Sequence, residues 1–263
     1  MKILILTRKK EVYSVRRLIE EGQKSGHEVI ILDPDDPEVH KIQGNILIPR
    51  IGNFKYQESL AVLEWFERRG MKVLTKTARF RDARNKWFSY LILRDEEIPQ
   101  PSTRTCMKHQ LPHQFPYIVK RPESCQGQGI WLIERKQDLL SLPTGEEYLV
   151  QEFIHESKGR DIRAFVVKDQ VIGSIERVAQ NGEFRSNLSL GAIAQPVILS
   201  EEEKRIAILA TKSLGLIYAG VDLIRSIKGP LVLEVNASPG FEGIETCLKI
   251  NVAQVLIETC EEL

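Results

Sequence analysis

A small parallel α/β unit followed by a larger α+β part is the fold class this sequence predicts, and three observations carry it. Residues 1–78 place short apolar runs and amphipathic stretches in the order β-α-β-β-α-β. From about residue 115 the chain turns strand-rich. Helical patterns then recur near 200–214 and 250–262, so strand runs and helices are segregated rather than alternating.

The elements follow in order. Residues 2–6 form a continuous apolar strand. A helix over about 12–25 carries Val12, Val15, Leu18 and Ile19 on one side and ends at Gly26. Glu28–Leu32 is a second strand, closed by the turn at 33–37, and Ile46–Ile51 is a third. Tyr56, Leu60, Leu63 and Phe66 recur at helical spacing, and Lys72–Thr75 is a fourth strand. A single helix is expected over 80–95, containing Lys86, Trp87 and Leu91, and then a Pro-rich connection at 98–102. Strands follow at 117–120, 130–133, 148–152, 162–167 and 171–175. Ser200 with Glu203 makes a capping box at the start of the next helix. The expected organisation is 1–78, an N-terminal α/β domain; 79–154, a central subdomain with a glycine loop; and 155–263, a C-terminal subdomain.

Composition excludes some function classes. The 263 residues hold 37 Lys and Arg against 36 Asp and Glu, a net charge of +1, so no nucleic-acid or membrane surface is predicted from bulk charge. No apolar run approaches the roughly 18 residues of a membrane span. The four cysteines form no C-x-x-C pair, which with the lack of an N-terminal leader pattern predicts a reduced, cytoplasmic protein. No G-x-G-x-x-G supports a dinucleotide site. The five histidines show no metal spacing, and Cys125 has no adjacent histidine to activate it as a nucleophile.

The strongest chemical signal is Leu231–Gly240 together with Asp222. Glu234 and Asn236 are two apart in a run of β-formers and so share one face of a strand. If residues 218–224 and 231–236 form a hairpin about the turn at 225–230, Asp222 lies nearly opposite Glu234. Two carboxylates so placed repel each other, and with the Asn236 amide they make an all-oxygen set suited to Mg²⁺. Upstream, Lys120 ends a strand and is followed by a glycine-containing loop with Gln126, Gly127 and Gly129, a pattern that can lay backbone N–H groups over phosphates but equally describes a plain hairpin turn. The strand end Glu152-Phe153-Ile154 can offer backbone groups and apolar walls to a base. Asp161, Arg163, Arg185, Ser186 and Asn187 sit in polar–apolar alternations whose arginines can clamp phosphate or simply form a solvated face.

With these residues assembled, the chain resembles the ATP-grasp ligases, and within them the RimK-like glutamate ligases. The likeness runs from Tyr13-Ser14, Arg17-Leu18, Gly26-His27 and Ile48–Gly52 through Asp161-Ile-Arg163, Phe184–Leu188, Ala219–Asp222 and Leu233–Gly240 to Glu242–Glu245. It implies an α/β N-terminal domain plus an α+β ATP-grasp fold, with ATP bound between two α+β subdomains. It implies Lys86 and Lys120 on the ATP phosphates, with Glu152, Phe153 and Ile154 at adenine and Asp161 near the ribose. Arg185, Ser186 and Asn187 would serve the nucleotide and phosphate site, and Asp222, Glu234 and Asn236 would bind Mg²⁺ or Mn²⁺. Arg163 and Arg185 are the expected stabilisers of the transferred phosphoryl group.

The expected function is ATP-dependent amide formation through an acyl phosphate, adding L-glutamate to a carboxylate acceptor such as a protein or peptide C-terminus or a small molecule. The rivals are the same fold acting on another amino acid or on a carrier or cofactor acceptor, a kinase on that fold, and a non-catalytic ATP-binding regulatory module. No membrane or direct nucleic-acid partner is expected, and a homo-oligomer is left open. Two departures bear on the substrate: where the family has Arg-Gly-Gly after its Ser-Asn-Leu segment, this chain has Leu190-Gly191-Ala192, and its N-terminal domain and the segment leading to Lys120 are shorter than the family's usual ones.

Overall fold

The computed structural model describes residues 1–123 and 128–263. The N-terminal unit is a parallel sheet, β1 (Lys2–Leu6), β2 (Glu28–Leu32), β3 (Ile46–Pro49) and β4 (Lys72–Val73), in the order β2-β1-β3-β4. Helices α1 (Tyr13–Lys24) and α2 (Tyr56–Arg68) make its crossovers. β1 is apolar along its length because both faces are covered: Ile3 and Ile5 join one core, Leu4 and Leu6 another.

The expected single helix over 80–95 is two, α3 (Thr77–Arg84) and α4 (Lys86–Asp95). Asn85 breaks it. Its backbone is extended, at φ −82° and ψ 108°, and its side chain accepts hydrogen bonds from the Trp87 and Phe88 amides. A residue that caps a new helix cannot continue the old one. The consequence is functional: Lys86 begins a helix rather than sitting within one.

The second sheet is antiparallel, β5 (Thr103–Met107), β6 (Tyr117–Lys120), β7 (Ile130–Ile133) and β8 (Glu147–Glu152), in the order β5-β8-β6-β7. β5 carries only one buried residue, Cys106, which explains why no apolar run announced it. The third sheet comprises β9 (Arg160–Val167), β10 (Gln170–Val178) and β11 (Ile193–Pro196), then, after α5 (Glu201–Ser213), β12 (Tyr218–Ser226) and β13 (Gly229–Asn236); its order is β11-β10-β9-β12-β13. The short α6 (Glu242–Leu248) and the terminal α7 (Val252–Glu261) complete the chain. Strand β11 and helix α6 were not anticipated; three of the four β11 residues are exposed or polar, and α6 is only seven residues long.

The third sheet sorts its side chains by the two-residue period of a strand. On β9, Ile162, Ala164 and Val166 pack with Ile206, Ala207 and Ala210 of α5. The alternate residues Phe165 and Val167 join Phe241 and Ile244. Asp161 and Arg163, on that second side, line a cleft instead. One buried cluster runs from the N-terminal sheet (Leu4, Leu47) into the third (Ala219, Val235), so these two sheets share a core. Among the described residues no helix is long and apolar enough to cross a membrane.

Candidate active site

The predicted hairpin is present. Asp222 pairs with Glu234 and Gly220 with Asn236 across β12 and β13, with an irregularity between Asp222 and Leu223. The turn is tighter than the sequence predicted: Ser226 pairs with Gly229, leaving only Ile227 and Lys228 between the strands. Gly229 adopts φ 105°, a conformation that a Cβ would strain.

On the neighbouring strands the same row continues in register. Asp222 pairs with Arg163 of β9, and Arg177 of β10 pairs with Asp161. Arg163 donates two hydrogen bonds of 2.7 Å to the two Asp222 oxygens. Arg177 donates from Nε to Asp161 at 2.6 Å and reaches Asp222 Oδ2 at 3.0 Å. Two carboxylates and two guanidiniums thus form one buried network on a single sheet face. Burial opposes the charge on Asp222, but Arg163 and Arg177 hold its carboxyl below the usual carboxylate range. Asp161 goes the other way: burial raises it, the Asp222 charge adds to the rise, and Arg177 opposes both. Sequence pattern alone assigned Arg177 no role in the site. Its central place, 3% exposed between two aspartates, depends on the β9–β10 register.

Lysines face this network from other elements. Lys86 donates to Glu234 Oε1 at 2.9 Å. Its own amide donates to Pro122 O at 3.0 Å, which ties the start of α4 to the base of the glycine loop. Lys120, at the end of β6, is only 9% exposed. Burial pushes its ammonium down to about 8, against the pull of Glu234 and with a further push from Lys86. Of the loop that follows, Gln126, Gly127 and Cys125 lie outside the described residues. Gly129 closes its far side at φ 67°, and its carbonyl accepts from the Arg121 amide at 2.9 Å.

These groups surround one cleft of about 1100 Å³. Lys86, Lys120, Glu152, Phe153, Ile154, Asp161, Arg163, Arg185, Ser186, Asn187, Asp222, Glu234 and Asn236 all line it, as does Arg177. Gly129 is not among the lining residues, although its neighbour Ile130 is. The Glu152–Ile154 strand end is fixed by the Glu152 amide, which donates to Ser102 O at 2.8 Å. Arg185 is held locally, with Nη2 2.7 Å from Glu183 Oε2.

Among the described residues no cluster of three His, Cys, Asp or Glu side chains is placed to hold a metal. The set at the hairpin is two carboxylates and one amide, all oxygen donors, which suits a hard divalent cation that completes its shell with phosphate oxygens and water. The Lys86 and Arg163 contacts show where positive charge already meets these carboxylates. The residues fit Mg²⁺ or Mn²⁺ in company with a phosphate ligand that would share those cations.

The RimK-like ATP-grasp domain matches residues 83–260, and the RimK PreATP-grasp domain matches residues 1–45. Proteins named "Probable alpha-L-glutamate ligase" from Haemophilus influenzae and Legionella pneumophila are 40% and 39% identical to the chain. The first covers 99% of this chain and 97% of its own length, the second 100% and 96%. Among solved structures, a D-alanine–D-alanine ligase from Bacillus anthracis complexed with ATP superposes with a TM-score of 0.78 at 20% identity, covering 100% of this chain and 98% of its own. An ATP-grasp RimK-domain protein from Sphaerobacter thermophilus gives 0.75 at 18%, covering 98% of each chain. At such identities these two structures speak to the fold.

Proposed function

Since the chain belongs to the RimK-like ATP-grasp family, we propose that it joins L-glutamate to a carboxylate acceptor. As a family member it is an ATP-dependent carboxylate–amine ligase. The acceptor carboxylate attacks the γ-phosphate of ATP, forming an acyl phosphate and releasing ADP. The amine of the amino acid then attacks the acyl carbon, and phosphate leaves as the amide bond forms.

Lys86 and Lys120 take the phosphates. Both lie on the Glu234 side of the cleft, and Lys120 is buried without a hydrogen-bond partner of its own among the described residues. A polyphosphate would add a directly bonded counter-charge to the pull that Glu234, Asp222 and Asp161 already exert on this ammonium. Glu152, Phe153 and Ile154 hold the adenine at the end of β8, with Asp161 toward the ribose and Ser186 and Asn187 beside it. Gly129, at the edge of the glycine loop, would serve the phosphates with Gln126 and Gly127, which lie outside the described residues. Arg163 and Arg185 stabilise charge on the transferred phosphoryl group. Each already grips a carboxylate, so each is oriented before substrate arrives. Asp222, Glu234 and Asn236 would hold Mg²⁺ or Mn²⁺, which when bound supplies positive charge to the phosphate oxygens.

The observation that carries this reading is convergence: the oxygen set of the β12–β13 hairpin, the two lysines and the β8 strand end line one cleft although they are as far as 150 residues apart in sequence. The acceptor is a peptide or protein C-terminus or a small carboxylate. The test is ADP release with L-glutamate against the other amino acids, across peptide and small-molecule acceptors, with mass spectrometry of the acceptor. A gain of one or more glutamyl residues supports the reading. ADP release with a different amino acid alone would replace glutamate, and a stable phosphorylated product would replace ligation.

A further inference from the structure

The N-terminus of α1 and the side chain of Arg50 meet at the wall of the cleft, and neither is fully satisfied among the described residues. Arg50 follows β3 and is 9% exposed. Its Nη2 donates to Ser14 Oγ at 2.8 Å and to Pro239 O at 2.9 Å. Its Nε and Nη1 are buried and have no hydrogen-bond partner of good geometry among the described residues. No carboxylate of the described residues forms an ion pair with it; its other neighbour is the Phe241 ring, 5.8 Å from the guanidinium carbon. The Tyr218 hydroxyl lies beside the guanidinium and feels its charge, but as a neutral group it supplies no counter-charge.

An uncompensated buried cation is costly, and structures normally provide it with an anion. The start of α1 adds to the same positive field. Its cap residue, Val12, has no side-chain oxygen to offer, and no acidic residue occupies the first turn. The Val15 and Arg16 amides turn back to Val12 O, while those of Tyr13 and Ser14 make no hydrogen bond among the described residues. Free amides at the positive end of a helix favour an anion. Val12, Ser14, Val15 and Arg50 all line the cleft, as do Pro239 and Asn236. This positive corner is therefore continuous with the oxygen set, since its contact Pro239 lies three residues after Asn236 in the chain.

We propose that the first turn of α1 and Arg50 form a subsite for a substrate carboxylate that is not phosphorylated in the reaction. It rests on the ligase reading above and deepens it. The shared chemistry is a carboxylate with two sources: the α-carboxylate of the incoming amino acid, or a second carboxylate on the acceptor. A carboxylate held there is fixed by the N-terminal unit, while the γ-phosphate is held by the other two.

The test compares Arg50→Met, Arg50→Lys and Val12→Asp with the wild type. Val12→Asp places a tethered carboxylate at an exposed cap position whose backbone, φ −64° and ψ 135°, already suits an N-cap. KM values are measured for ATP, for L-glutamate and for a synthetic peptide with a free C-terminus, and L-glutamate is compared with its α-amide. Arg50→Met and Val12→Asp should each raise the KM for one carboxylate substrate at least tenfold, with the KM for ATP within twofold of wild type and partial recovery in Arg50→Lys. If glutamate is the source, its α-amide binds the wild type and Arg50→Met equally weakly; if the peptide is the source, only the peptide KM moves. Thermal unfolding of the unliganded Arg50→Met variant should stay at or above wild type, which a merely structural arginine would not allow. Unchanged KM values for both carboxylate substrates, or a change confined to ATP, in variants that fold would overturn the subsite and leave the ligase reading standing. A wild type that forms no ADP with any amino acid and acceptor would overturn both.

Discussion

Arg163 and Asp222 face each other across β9 and β12 and are joined by two hydrogen bonds of 2.7 Å, with Asp222 6% exposed. A charge pair that is buried and bidentate is costly to break from one side, because the remaining charge stays desolvated. Here Arg177 stands behind it at 3.0 Å and keeps Asp222 partly compensated. Arg163→Met should therefore lower stability by about 1–3 kcal/mol rather than the roughly 3–5 kcal/mol of an unsupported pair. Its turnover should fall at least a hundredfold, by the loss of charge stabilisation at the phosphoryl group. Denaturant unfolding and ADP release on the same variant separate the two effects.

Glu234 is more open, its side chain 27% exposed, and it is paired with Lys86. Glu234→Gln keeps the shape and removes the charge. The fold should be preserved to within about 1 kcal/mol, as for a part-exposed ion pair. ADP formation should fall at least a hundredfold and require a higher Mg²⁺ concentration. Chelation should abolish wild-type turnover, and added Mn²⁺ should restore it. Full activity in Glu234→Gln at low Mg²⁺ would remove Glu234 from the metal set.

Lys120 gives a pH prediction with a definite sign. Burial lowers its ammonium to about 8 in the folded protein, below the ordinary lysine value. In that window the unfolded chain binds more protons, so this residue's penalty is full below about pH 8 and is relieved as pH rises above it. Lys120→Met should therefore gain stability relative to wild type at pH 7 and lose that advantage near pH 10. Nucleotide binding reverses the balance, since phosphate favours the charged amine. Wild-type ATP affinity should fall above about pH 8, with proton uptake on binding, while Lys120→Met binds more weakly and without that pH dependence. Calorimetry in two buffers of different ionisation enthalpy reads the proton directly.

Gly220 pairs with Asn236, and a Cβ there would stand 2.7 Å from Pro239 Cβ. Gly220→Ala should displace the segment after Asn236, on which both the oxygen set and the Arg50 contact depend. A loss of turnover larger than the loss of stability is expected. Comparable Tm and kcat to wild type would show that this segment moves aside without consequence.

Much of the site was legible because its local pieces are local in sequence. Glu234 and Asn236 share a face by strand periodicity alone, whereas Asp222 comes opposite Glu234 through the turn at 227–228 together with the one-residue irregularity between Asp222 and Leu223. The same logic failed where a single residue outweighs a pattern. Asn85 split one expected helix in two, since its side chain caps Trp87 and Phe88, and no apolar period records such a choice. β11 and β5 escaped notice because edge strands need little apolar burial.

The sequence by itself determined most of the elements, the residues of the hairpin's oxygen set and the family resemblance, because strand period, turn chemistry and motif spacing act over a few residues. Only the tertiary structure decided which charges meet. The strand order β10-β9-β12-β13 set Arg177 and Arg163 against Asp161 and Asp222. The packing of the first sheet on the third brought Arg50 to Ser14 and Pro239, with no acid among the described residues to meet it. Neither pairing follows from composition or period. Strand order and sheet packing depend on which apolar faces bury one another, and that is a sum over the whole core rather than a property of any one segment.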